Sequence, residues 1–277
     1  LTPLASLRNG AGIDQTHGLI ITNGQNTATV SFATANTVED LLNAINSSGA
    51  NVRAQINAAG NGIDILNPVQ GPQMTIAENG GTTAADLGVR SFGPTTPLGE
   101  LNGGAGVRTV NPGPDFQITA ASGASFTVSL NGAQTVQDVI SRINAASGTA
   151  GVAASFATTR NGIVLTDSSG GAGKLTITPM NFSNAAADLG LTAPASGNVI
   201  KGADVDPVSA QGLFANLAKL RDALNSNDQA AITAAAEGLQ ADHDRVVTIR
   251  GQTGAQVQEL QGRQNSLQDQ NVATQAM

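Results

Sequence analysis

The chain of 277 residues has no cysteine, no tryptophan and no tyrosine, and only seven phenylalanines. Without cysteine there is no disulfide framework, no thiolate nucleophile and no cysteine-ligated zinc site. So few aromatic side chains leave cores of Val, Ile, Leu and Ala, and no ring cluster against which a glycan would stack. Charge is scarce too, at 12% of residues with a net of −7, so no basic surface exists for nucleic acid or anionic lipid. No apolar run approaches the roughly eighteen residues of a membrane span. Of the two histidines, His17 lies in a polar segment and His243 sits between Asp242 and Asp244. Neither has an HExxH companion or a second ligand at helical spacing. Ser168–Lys174 (SSGGAGK) glances at a phosphate loop but lacks its first glycine and the Ser/Thr after the lysine, so it reads as a hairpin tip. Asp204 and Asp206 lack the ladder of acids of a calcium loop. No catalytic, cofactor or metal site is expected, and an enzyme is set aside.

What is present is a sentence written twice. Thr37–Ile45 (TVEDLLNAI) returns as Thr135–Ile143 (TVQDVISRI). Each copy opens on Thr, a good helix N-cap, with Asp three residues later in the place of a capping-box acid. Apolar residues follow at Val38, Leu41, Leu42, Ile45 and at Val136, Val139, Ile140, Ile143, the i, i+3, i+4, i+7 face of a helix. Burying four such side chains stabilises by about 6–12 kcal/mol. Ordering about ten residues costs a similar amount, so each helix needs a sheet to lie on. Period-two stretches surround both helices: Leu19–Thr22, Thr27–Phe32, Val52–Ile56 and Ile63–Ile65, against Phe116–Thr119, Phe126–Leu130, Val152–Phe156 and Ile163–Leu165. They flank Asn23-Gly24, Asn61-Gly62, Asn131-Gly132 and Asn161-Gly162, the turn signal of β-hairpins. A last strand (Met74, Ile76; Leu175, Ile177) and a closing AADLG turn (Ala84–Gly88, Ala186–Gly190) complete each copy, and even the opening segments agree, TPLASLRNGAGI at Thr2 and TPLGELNGGAGV at Thr96. The expected fold class is α+β: two similar small units, each an antiparallel sheet plus one helix, followed by an α-helical antiparallel bundle segment. The expected boundaries are 1–90 and 98–191 for the units, with Pro/Gly/Ser/Thr-rich linkers at 91–97 and 192–207, and 208–277 for the helical region.

Past Pro207 the glycines thin out. Leu213, Phe214, Leu217, Leu220 and Leu224 mark one amphipathic helix, which stops at Asn225–Asp228. Asp228 can cap a second, carrying Ile232, Ala235, Ala236, Leu239 and Val246. From Val246 a seven-residue spacing runs through Thr253, Leu260 and Leu267, with a second row at Arg250, Val257, Gln264 and Asn271. The rows keep phase across Gly251 and Gly254, which predicts one long helix. Beyond Gly251 only Val257, Leu260 and Leu267 are strongly apolar. Three such side chains stabilise by about 5–9 kcal/mol, against well over ~20 kcal/mol to order that length. The helix therefore expects a partner. The candidate assembly interface is Val246, Thr253, Val257, Leu260, Gln264, Leu267 and Asn271; Leu213, Leu217, Leu220, Leu224 and Leu239 are expected to form the region's own core.

The doubled TVEDLLNAIN…VRAQINAAGNGIDI and TVQDVISRINAASG…VAASFATTRNGIVL resembles the flagellin hook IN motif, found in outer domains of some flagellins, hook-associated proteins and filament caps. LFANLAKLRDALNSNDQAAI and the helix after it resemble the C-terminal helical region of the flagellin superfamily, in the style of hook–filament junction proteins. The resemblance implies a secreted, extracellular structural part of the bacterial flagellum, without cofactor, nucleic acid or membrane. Its implied partners are other flagellar axial proteins (hook-associated protein and flagellin) and copies of itself, met through the helices. It also implies a longer parent, with an N-terminal helical region and a last apolar helix outside these residues. A filament flagellin is the alternative, with a filament cap or an adhesin behind it.

Overall fold

The computed structural model describes residues 2–68, 73–205, 208–209 and 213–275, and of a few of these, Leu213 and Asn271 among them, the backbone alone. The first copy runs α1 (Leu7–Gly10), a kinked turn with Arg8 and Asn9 left-handed, then β1 (Leu19–Asn23), β2 (Asn26–Val30), α2 (Val38–Asn46), β3 (Arg53–Ile56), β4 (Ile63–Leu66), β5 (Gln73–Asn79) and α3 (Thr83–Asp86). The second runs β6 (Phe116–Thr119), β7 (Ser125–Val128), α4 (Val136–Ser147), β8 (Val152–Phe156), β9 (Thr159–Arg160), β10 (Ile163–Asp167), β11 (Thr176–Pro179) and α5 (Ala185–Asp188). After them come β12 (Val199–Lys201), β13 (Val208–Ser209), α6 (Leu213–Ser226) and α7 (Gln229–Gln275). The class is α+β.

Both main helices start as their sequence dictates. The hydroxyl of Thr37 accepts the Asp40 N–H, and Asp40 returns the bond to the Thr37 N–H; Thr135 and Asp138 repeat the exchange. Each cap satisfies two N–H groups that the helix itself cannot, worth about 1 kcal/mol. The buried face then packs down: Leu41 and Ile45 join Leu19, Ile21 and Phe32 in one core, and Val139, Ile140 and Ile143 join Phe116, Ile118 and Leu165 in another.

Each copy holds two small antiparallel sheets rather than the one expected. In the first, β2–β1–β5 lies apart from β3–β4; in the second, β7–β6–β11 lies apart from β8–β10–β12. Register in the first is set by Ile21 opposite both Ala28 and Ile76. Asn23-Gly24 does make a hairpin, with Gly24 at φ 61° in the first central position, where a type II′ turn places glycine. Asn61-Gly62 sits elsewhere, at the end of a longer loop closed by the Asn57 side chain, whose Oδ1 accepts the N–H of both Asn61 and Gly62. Asn131-Gly132 leads into α4 instead of reversing a strand.

The two copies are stitched together along one strand edge. On its outer side β5 pairs with β13 at Met74 and with β9 at Glu78 and Asn79. Between them Ile76 bonds Ser91 through both backbone groups, and its carbonyl also accepts from Asn161 Nδ2. That amide is buried and further reaches Ser91 Oγ (2.9 Å) and Asp204 Oδ2 (3.0 Å), while its Oδ1 accepts from Arg90 Nε (3.1 Å). Arg90 lies over the Phe156 ring, which meets Phe92 edge-on. Phe92 is fully buried in the second core, and Ile200 of β12 is buried beside it in the same cluster, so both Pro/Gly-rich segments carry structural residues.

Candidate assembly surface

Helices α6 and α7 turn back on each other at Asn227, which takes φ 52°. Asp228 Oδ1 accepts the Ala231 N–H and its carbonyl accepts the Ile232 N–H, which starts α7 as the sequence predicts. The pair is closed by small residues. Ala223 and Ala235 are buried, and at Gly238 an added Cβ would lie 2.8 Å from the Asn216 amide. Asn216 donates to Asp242 (2.7 Å), a buried carboxylate that also meets Arg245 (3.2 Å). The expected leucine core is corrected at two positions, since Leu217 and Leu224 are 45% and 58% exposed, while Leu220 and Leu239 are half-buried. The Leu213 side chain lies outside the described residues. At its base the pair touches the second unit, where Arg108 forks onto Asp188 (2.7 and 3.0 Å) and reaches Asp228 at 3.5 Å.

Lengths decide what remains bare. At 1.5 Å per residue the 14 residues of α6 span ~21 Å and the 47 of α7 span ~70 Å. The last side-chain bond between them among the described residues joins Asn216 to Asp242. Beyond, Val246, Ile249, Val257, Leu260 and Leu267 are 46–66% exposed, and Thr253 and Gln264 are exposed with them. At ~100° per residue these positions fall within an arc of about 80°, as does the backbone position of Asn271, whose side chain is outside the described residues. Ile249, three residues after Val246, belongs to this face although the seven-residue rows pass over it. Gly251, Gly254 and Gly262 leave the helix unbroken. No helix among the described residues is long and apolar enough to cross a membrane.

The two units share a further device. After Ile45 and Ile143, in the last turn of each helix, stands an asparagine that brackets one residue of the next strand. Asn46 donates to the Ala54 carbonyl (3.1 Å) and accepts its N–H (2.7 Å). Asn144 does the same to Ala154, at 3.0 and 2.7 Å. The isoleucine is fully buried under the helix while the asparagine ties that helix to its sheet. The signal was there to find: an Asn after the last apolar residue, in both copies.

Residues 115–169 match the family model of the flagellin hook IN motif. The matched IN motif runs from Asp115 through β6, β7, α4, β8, β9 and β10 to Ser169, and so contains the Ile143–Asn144 pair. The first copy lies outside the matched residues. No curated protein and no solved structure matches the chain.

Other residues noted in the sequence have local work. His17 meets Asp14 at 2.8 Å, and His243 meets its neighbour Asp244 at 3.3 Å. The run 168–174 joins β10 to β11, which belong to different sheets, so it is a crossover and not a hairpin tip. Two of its glycines are required by close approach: a Cβ on Gly171 or on Gly173 would collide with the Ala121 carbonyl, to which Gly173 donates its N–H. Asp204 serves Asn161, and Asp206 lies outside the described residues.

Proposed function

We propose that this protein is a structural component of the bacterial flagellum, at the junction between hook and filament, and that it assembles through the bare face of α7. The observation that carries the reading is the conjunction of an IN motif at 115–169 with a helix that runs ~50 Å past the end of its pairing with α6. A helix bearing Val246, Ile249, Val257, Leu260 and Leu267 on one narrow arc is half of a coiled-coil seam. Its other half comes from helices of axial neighbours: hook-associated protein, flagellin, or a further copy. The first copy, with its own Thr cap and Ile-Asn pair, is a second and diverged IN unit, and the two units face outward from the bundle. The setting is extracellular, after secretion.

Filament flagellin is the nearest rival, and the two differ in whether the protein polymerises alone. The test is light scattering and negative-stain microscopy of the product of the complete reading frame, by itself and mixed with hook-associated protein and flagellin. A junction protein stays dispersed alone and co-assembles in the mixture. Open-ended fibres formed alone assign it as a flagellin. If Leu260→Asp with Leu267→Asp assembles as the parent does, the α7 face is not the interface.

A further inference from the structure

The repeat shows, within one molecule, a groove filled in one unit and open in the other. In the second unit the segment from Val199 to Val205 lies along β10 and then crosses the opening segment. Val199, Ile200 and Lys201 pair antiparallel with Thr166, Leu165 and Val164. Gly202 then donates to the Ile163 carbonyl (2.8 Å), Ala203 to Gly190 (3.0 Å), and Asn102 donates to Val205 (2.8 Å). Beneath it Leu101, Val136, Ile163, Leu165 and Leu189 are all fully buried.

The first unit keeps the same bed and lacks the strand. Among the described residues β4 pairs with β3 alone. The residues matching that buried set, Leu7, Val38, Ile63, Ile65 and Leu87, are all only half-buried. A groove of about 240 Å³ opens among Leu7, Val38, Ile56, Gly62, Ile63 and Leu87. Ile56 itself is 53% exposed, whereas its counterpart Phe156 packs on Phe92. The chain that leaves α3 is committed elsewhere, since Ser91 is bonded to β5 and Phe92 is buried in the second core.

We infer that the β3–β4 sheet of the first unit is a docking site for an extended strand from a partner chain, taken by β-strand addition to the open edge of β4. The occupant has the chemistry of Val199–Val205: two β-branched residues, a lysine, then Gly-Ala where the backbone passes the bed. Glycine is needed at that step because the second unit tolerates no Cβ on either side of it. A Cβ on Gly162 would lie 2.5 Å from the Gly202 carbonyl, and one on Gly202 would lie 2.7 Å from the Ile163 carbonyl.

The test is titration of the isotope-labelled chain with the peptide NVIKGADV (residues 198–205), followed by amide NMR. The expected result is saturable shifts at Gly62, Ile63, Leu87 and Gly88. Replacing the peptide glycine by valine should weaken binding at least about tenfold, a change that cannot affect the fold of the protein. Ile63→Lys, which sets a charge in the half-buried bed, should do the same, with the thermal midpoint measured beside it to show that the fold is kept. No shifts at millimolar peptide, or shifts confined to residues 162–190, overturn the inference. So does a dimer formed without peptide and lost on Ile65→Lys, which would give the edge to a second copy.

Discussion

Asn161→Ala should uncouple the two units. The buried amide has two hydrogens and three acceptors within 3.1 Å: the Ile76 carbonyl, Ser91 Oγ and Asp204 Oδ2. Its oxygen accepts from Arg90 Nε at 3.1 Å. At ~1 kcal/mol net for each of three to four hydrogen bonds, the loss is about 3–4 kcal/mol. That is a large share of the ~5–15 kcal/mol that holds a domain folded. Arg90 keeps its bond to the Ala157 carbonyl (2.8 Å), Gly80 its bond to the Thr158 carbonyl (2.7 Å) and Phe92 its place in the second core, while the β5–β9 pairing covers two residues on each strand; these contacts are left to carry the coupling. Asn161→Asp should be no better than alanine, because it sets a second carboxylate 3.0 Å from Asp204 Oδ2. The chain has no tryptophan. Single tryptophans placed at Leu66 and Phe126 therefore report on the two units separately during urea unfolding. In the parent both should follow one transition; in Asn161→Ala the two midpoints should part. Coincident midpoints displaced by less than about 0.5 kcal/mol would refute the coupling.

Three further outcomes follow from geometry already described. Asn144→Ala leaves the N–H and carbonyl of Ala154 without their side-chain partner and should destabilise the second unit by about 2–3 kcal/mol, read from denaturant midpoints, with Asn46→Ala doing the same to the first. Asp40 and Asp138 titrate below the ordinary carboxylate range because backbone N–H groups hold the ionised form, chiefly those of Asn36 and Gln134, with the Thr37 hydroxyl and the Thr135 N–H next. A depressed folded value means that their contribution is complete above the unfolded value near ~4 and is lost as pH falls through the folded one. The parent should accordingly lose more thermal stability from pH 5 to pH 2 than the Asp40→Asn, Asp138→Asn double variant, and equal losses would count against the caps. Leu260→Asn should leave the thermal midpoint of the isolated chain within about 0.5 kcal/mol, since the side chain is 65% exposed; a larger loss would mean that the face is already covered.

The repeat was legible because each of its parts is written locally: Thr before the helix, Asp three residues on, four apolar residues on one face, alternation on either side. Turn positions were less so. Asn61-Gly62 looks like a tight hairpin until Asn57 reaches across to bond both residues, which no pattern of apolar residues announces. The leucines of α6 misled for a different reason: amphipathic spacing gives a face, but the buried side of the helix pair is carried by Asn216 and Ala223 on α6 with Ala235, Gly238 and Asp242 on α7, and Leu217 and Leu224 stay exposed. The joint at β5 was invisible, because two residues of β9 pairing across a boundary carry no periodicity at all. The bare stretch of α7 was the most readable part of the candidate surface, since three leucine- or valine-sized side chains in some twenty-five residues are too few to hold a helix by themselves.

The outer edge of β5 is filled from Ser91, from Thr159–Arg160 and from Val208–Ser209, all of them later in the chain. A polypeptide that emerges amino end first reaches this arrangement in an inverted order. The unit made earliest is the last to be sealed, and until Val208 appears its strand remains a template for any passing backbone. Crowded, half-emerged chains are thus where mispairing at this strand concentrates, and in the finished molecule β5 is protected from it by residues that arrive at the end.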